Sequence, residues 1–339
     1  MLMIDAARQA EGDGGHDEAA ALAAALARYK AAEATDGTEF RKKARLMASL
    51  WRETRGLPPG AHQARRRDGT MACRELGSRL EYGHARRTGA NFLTPAIRRQ
   101  VRDRLARPED HELIQEQRLW ADLLSSQPMC FNLFGELAAD LGLATRAART
   151  WWPGRVERVA ELRFEWSPGR LDPRYLGNRT AFDAFLRYTP SGGGCGFIGI
   201  ETKYHERTER PKRLRPERRE RYAEVTKRSG VFRPGWEQAL ADTDLQQIWL
   251  DHLLALSMVP GWGSGVFLLV YPAANISMAS AARRYADTLL DATTFEHRTL
   301  EDMTERLRTV TNARWVAAFE DRYLDFEKLR GVGVSPPAL

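Results

Sequence analysis

The chain has 339 residues, of which 43% are hydrophobic and 29% charged, a balance that supports a sizeable buried core and excludes wholesale disorder. Lys and Arg number 52 against 45 Asp and Glu, a net charge of +7 that favours an anionic partner. Three widely spaced cysteines (Cys73, Cys130, Cys195) argue against a disulfide scaffold or structural zinc site and fit a reducing, cytoplasmic setting. Met1–Asp5 lacks a basic n-region and no apolar run reaches about 20 residues, so neither an export signal nor a membrane span is expected.

Charge is unevenly distributed. Residues 1–36 carry seven acids and three bases, with a Gly-rich acidic stretch at Glu11–Gly15, and read as an Ala-rich, partly disordered leader. Phe40–Arg107 carries 18 bases and five acids, and Arg207–Arg228 ten bases and four acids. Such blocks are often solvated faces. Two of them flanking one central segment are also what a polyanion-binding cleft requires, which makes Arg213, Arg215, Arg218, Arg219 and Arg221 candidate phosphate contacts.

Helical spacing of apolar residues predicts a helix over Phe40–Arg55, stopping before Gly56-Leu57-Pro58-Pro59-Gly60. Further helices are predicted over Pro95–Leu105, Glu112–Leu124 and, after Pro128, Phe131–Leu143. Strands follow. Val156–Trp166 places Leu162, Phe164 and Trp166 on one face, with Glu161, Arg163 and Glu165 on the other. Thr180–Tyr188 and Gly196–Tyr204 also alternate, and the Thr189–Gly194 turn sequence between them predicts a hairpin. A helix is expected over Asp244–Met258, ended by Pro260-Gly261, then a buried strand at Val266–Tyr271. Ala281–Leu290, Leu300–Val310 and Trp315–Leu329 read as closing helices. The order helix, three strands, helix, strand is an α/β arrangement, an αβββαβ core with a mixed sheet flanked by helices. The chain divides into a leader (1–36), a basic helical region containing the leading core helix (37–150), the core (151–275) and C-terminal helices packed on it (276–339).

The two-residue period of a strand puts Glu201 and Lys203 on one face, and the neighbouring hairpin strand can bring Asp183 beside them. Adjacent carboxylates repel, and a hard divalent cation, Mg²⁺ or Mn²⁺, relieves that repulsion. A lysine ammonium alongside can neutralise a phosphate oxygen, so the set suits metal-assisted phosphodiester hydrolysis. An ordinary solvated strand face with a salt bridge is the plainer reading. Against it stands Phe197-Ile198-Gly199-Ile200, an apolar run that belongs at the centre of a sheet and would bury these charges.

Asp183 followed by Glu201-Thr202-Lys203 across a strand, turn and strand resembles the PD-(D/E)xK nuclease superfamily, with its restriction-endonuclease-like fold. The phrases SSQPMCFNLFGEL (Ser125–Leu137), FEWSPGR (Phe164–Arg170), TAFDAFLRY (Thr180–Tyr188), FIGIETKYHE (Phe197–Glu206), LQQIWLDHLLA (Leu245–Ala255) and NFLTPAI (Asn91–Ile97) resemble a bacterial group of restriction endonucleases of this type. The resemblance extends over about residues 38–330. Phe182 stands where the superfamily name has proline. The resemblance implies Asp183 and Glu201 as metal ligands, Lys203 as the catalytic lysine, and a helix glutamine, Gln247 or Gln246, of which helical phase favours Gln247 because it faces away from Leu245, Ile248 and Trp249. It also implies a glutamate from the leading helix, with Glu112, Glu116 and Glu136 all open. Glu165 is a further candidate ligand, or merely an exposed acid before a turn. His205, one step beyond Lys203, either touches substrate or is an ordinary polar residue. The implied activity is Mg²⁺-dependent hydrolysis of DNA in bacterial restriction or defence, with a homodimer and a defence-system partner protein left open. The alternatives are a nucleic-acid-binding module with an inactive nuclease fold, or an RNA-acting nuclease.

Overall fold

The computed structural model describes residues 17–65 and 70–338. The first 16 residues of the leader, the Glu11–Gly15 stretch among them, lie outside the described residues. Two compact units are present. One comprises the described residues up to Asn91 with Glu116–Ser125 and the chain from Phe319, and the other comprises Phe92–Gln115 and Ser126–Ala318. The units interleave along the chain, whereas the four-part division above is serial.

The first unit contains helix α1 (17–28), helix α2 (Glu39–Glu53) and an antiparallel hairpin of β1 (Pro59–Arg65) and β2 (Met71–Leu80). A short helix α3 (Tyr82–Thr88) follows, and a second short one, Glu116–Ala121, packs beside it. Thr38 caps α2 by accepting from the Arg41 backbone N–H at 3.2 Å. Part of the positive charge in Phe40–Arg107 turns inward here: Lys43, Arg45 and Arg52 are buried. The buried Arg45 guanidinium holds both oxygens of Asp36 and donates to Ser78 Oγ at 2.8 Å, and buried Arg52 donates to the Gly77 carbonyl at 2.9 Å. The hairpin was not anticipated, because Pro59–Arg65 and Met71–Leu80 lack the β-branched alternation that marks a strand.

The second unit is a three-layer α/β assembly. Its helices α4 (Pro95–Leu105), α5 (Ser126–Ala139) and α6 (Leu141–Trp151) precede a five-stranded sheet. The sheet runs β3 (Val156–Trp166), β4 (Phe182–Pro190), β5 (Gly196–Thr202), β6 (Ser264–Tyr271), β7 (Phe295–Thr299), with adjacent strands paired in that order. β3, β4 and β5 form an antiparallel meander, and β5, β6 and β7 run parallel. Helices α7 (Pro216–Ser229) and α8 (Gln246–Trp262) make the crossover from β5 to β6, and α9 (Ile276–Ala286) the crossover to β7. Helix α10 (Leu300–Arg308) packs on α6. This is the restriction-endonuclease-like α/β architecture, with a helical N-terminus and C-terminal helices.

Every residue of β5 is buried, as a central strand requires. Gly199 in its middle admits the Phe182 ring: a Cβ there would stand 2.3 Å from the ring. On one face Phe131 of α5 stacks on Phe164 at 4.2 Å between centroids. On the other, Phe185, Phe197 and Phe267 pack with Trp249, Leu253 and Tyr285.

Several expectations need correction. Phe164 and Trp166 were expected on one face, but Glu165 has φ +48°, which breaks the alternation. Trp166 therefore packs on Phe185 and Trp262, away from Phe131. α5 begins before Pro128 because proline is tolerated in a helix's first turn, and α8 runs two residues past Pro260 because only its last turn is disturbed. The helix expected over Glu112–Leu124 shortens to Glu116–Ala121, and part of the basic Arg207–Arg228 segment is helix α7. Helix α6 and strand β7 were not anticipated. β7, Phe-Glu-His-Arg-Thr, is too polar to announce itself.

Candidate active site

The antiparallel meander brings the end of β3, the start of β4 and the end of β5 to one edge of the sheet. Glu165, Asp183 and Glu201 sit at those three positions. The start of α8 packs over the same edge and contributes Gln247.

Glu201 is 8% exposed. Its Oε1 lies 2.6 Å from Lys203 Nζ and accepts from Gln247 Nε2 at 3.3 Å. Asp183 Oδ2 accepts from the Thr202 backbone N–H at 2.8 Å and from Thr202 Oγ1 at 2.7 Å, which ties β4 to β5 at this end. Glu165 Oε1 accepts from Gln127 Nε2 of α5 at 2.7 Å. The Glu165 carbonyl accepts from Arg104 at 3.1 Å and Arg170 at 2.7 Å, which holds its unusual backbone.

The electrostatics follow from crowding acids in a dry place. Burial, then the charge of Asp183, pushes Glu165 up to about 8 and Glu201 up to about 7. Burial also raises Asp183, against the pull of Lys203 and Thr202. Lys203 is raised: burial opposes its charge, but Glu201, Glu206 and Asp251 outweigh it. Lys203 is therefore an ammonium, held among carboxyl groups that ionise reluctantly without a further cation.

Of the candidates read from the sequence, Asp183, Glu201, Lys203, Glu165 and Gln247 come together. Gln246 does not. It is buried and bonds the Lys212 backbone and the Ala241 carbonyl. Glu112 pairs with Arg104 at 2.7 Å, Glu136 with Thr94, and Glu116 with Arg86 at 3.8 Å. The leading helix reaches the acids through Gln127 instead. His205 stands 3.9 Å from Glu206, whose Oε2 accepts from the Tyr204 N–H at 2.7 Å. Among the five arginines, Arg213 and Arg215 are exposed, and Arg219 pairs with Asp242. Arg221 is committed within the fold, to the Tyr175 and Arg174 carbonyls and to Glu224.

Sequence reasoning missed Asp251, one helical turn beyond Gln247. It is 6% exposed, and its Oδ2 is buried with no hydrogen-bond partner. Burial and the neighbouring Glu201 and Asp183 charges push its pKa well up, with Lys203 opposing. A lone acid within the apolar run Ile248–Met258 was the available signal.

Buried Glu201 and half-buried Asp183 and Glu165 at one edge of a sheet, with the unpartnered carboxyl oxygen of Asp251 nearby, are a donor set suited to a hard divalent cation. Among the described residues no group of three His, Cys, Asp or Glu side chains is arranged to hold an ion, and Glu201 Oε1 is engaged by Lys203 and Gln247. An acid–acid–lysine edge on this mixed sheet defines the class of the protein as restriction-endonuclease-like. The family model of the PD-(D/E)XK nuclease superfamily matches residues 34–325, and the chain belongs to that superfamily. No curated protein and no solved structure matches it. Membership suggests a nuclease acting on nucleic acid. Among the described residues no helix is long and apolar enough to cross a membrane.

Proposed function

We propose that the protein is a divalent-metal-dependent nuclease that hydrolyses phosphodiester bonds of DNA, in bacterial restriction or defence. The convergence of Asp183, Glu201 and Lys203 at the end of β5 carries this reading. Asp183, Glu201 and Glu165 hold Mg²⁺ or Mn²⁺, which when bound supplies a Lewis acid for a phosphate oxygen. Lys203 presents a fixed ammonium to the negative charge that grows on the phosphate during hydrolysis, in a site where burial strengthens the interaction. Gln247 fixes the rotamer of Glu201, and Gln127 that of Glu165. Thr202 holds Asp183 through two hydrogen bonds, so the acids are oriented before substrate arrives. Exposed arginines such as Arg213 and Arg215 contact the phosphate backbone without reading sequence. The test is cleavage of duplex DNA, single-stranded DNA and RNA with Mg²⁺ or with EDTA. Mg²⁺-dependent cutting of DNA is expected. Cutting of RNA alone would reassign the substrate, and no cutting of any would leave a binding module.

A further inference from the structure

Asp251 is a buried carboxyl group without a structural task. It lies four residues after Gln247 on α8, so the two side chains leave the helix on the same face, the one that meets Glu201. Its Oδ2 has no hydrogen-bond partner, although the residue is only 6% exposed. An unpaired group of this kind is costly to keep in a fold.

Glu201 shows the converse. Its Oε1 is engaged by both Lys203 Nζ, at 2.6 Å, and Gln247 Nε2. A cation taking that oxygen would meet the ammonium head-on, and like charges at such range repel strongly. Lys203 must then move, and in a buried site its charge needs another acceptor. Glu206 already accepts from the Tyr204 N–H. Asp251 is uncommitted and lies within electrostatic reach of both Lys203 and Glu201.

We propose that Asp251 is the receiving group for Lys203, a positioning residue that draws the ammonium off Glu201 when a divalent cation arrives. The inference rests on the metal-dependent reading above. It makes the Lys203–Glu201 pair a closed state and the Lys203–Asp251 pair an open one.

The experiment is calorimetric titration with Mn²⁺ alone, without nucleic acid, on the full chain and on Asp251→Asn, Lys203→Met and the double variant. Asp251→Asn should weaken Mn²⁺ about tenfold, the scale on which outer partners of metal ligands act. In the Lys203→Met background the same substitution should change affinity by less than about twofold, because no ammonium remains to be moved. An equal loss in both backgrounds would mean that Asp251 acts on the cation directly, and overturns the proposal. So does an unchanged affinity in Asp251→Asn alone. If wild type binds no Mn²⁺, the metal reading itself fails and takes this inference with it, whereas wild-type binding with a failed cycle overturns only the inference. Asp251→Ser, with the same expectation, replaces Asp251→Asn if circular dichroism shows that variant unfolded.

Discussion

Lys203 Nζ stands 2.6 Å from Glu201 Oε1, two residues along one strand end, and the pair is sunk at the edge of the sheet. The closeness gives Lys203 an orientation that a surface lysine lacks. It also separates the residue's two contributions, to binding and to turnover.

Lys203→Ala should leave DNA binding within a few-fold of wild type, since it removes about one phosphate contact from a basic surface. Cleavage should fall by a factor on the order of 10²–10³, the usual cost of losing one preorganised electrostatic group. Gel shifts and cleavage time courses with Mg²⁺ on the same preparations measure both. Normal cleavage would remove these residues from the mechanism.

Asp183→Ala should abolish Mg²⁺ or Mn²⁺ binding in calorimetry while circular dichroism stays unchanged. Thr202 loses an acceptor in this variant, but its backbone remains in the sheet. Metal binding that survives both Asp183→Ala and Glu201→Ala would locate the metal site elsewhere.

Neutralising exposed Arg213 and Arg215 should weaken DNA binding and lower the slope of log affinity against log salt by about one per contact. Arg221→Ala should behave differently. It leaves the Tyr175 and Arg174 carbonyls without their donor, so thermal stability drops while the slope stays near wild type. An unchanged slope in the Arg213/Arg215 variant would show that this segment does not touch nucleic acid.

His252 is buried between Tyr285 Oη at 2.9 Å and Thr294 Oγ1 at 3.0 Å, and burial pushes its pKa down to about 3. The folded value lies below the unfolded one of about 6.5. Its contribution to stability is therefore complete above pH about 6.5 and is lost as pH falls toward 3. Between pH 6 and 4 this group should add a slope of about 1.4 kcal/mol per pH unit to the unfolding free energy. Denaturant unfolding of His252→Gln should show a correspondingly flatter acid limb, and identical limbs would refute the assignment.

The strands that carry the site were legible because each obeys a local rule. Phe182–Pro190 and Gly196–Thr202 are apolar and bounded by a glycine-rich turn, so the Asp183 and Glu201 edges could be paired from periodicity. Gln247 could be preferred over Gln246 on helical phase. The hairpin β1–β2 and strand β7 were not legible, because polar strands are held by their neighbours and carry no pattern of their own.

Composition and strand period thus determined by themselves the α/β class and the common sheet edge of Asp183, Glu201 and Lys203, while the resemblance to the PD-(D/E)xK superfamily supplied the reading of that set as a site. Only the tertiary structure decided that Gln127 reaches Glu165, that Arg221 is committed internally, and that Asp251 lies unpartnered beside Lys203. Local pattern records which face a side chain leaves by. Which groups meet there, and how dry the place is, depends on elements far apart in the chain, and burial is what raises the pKa of Asp251 well above that of an ordinary helix aspartate.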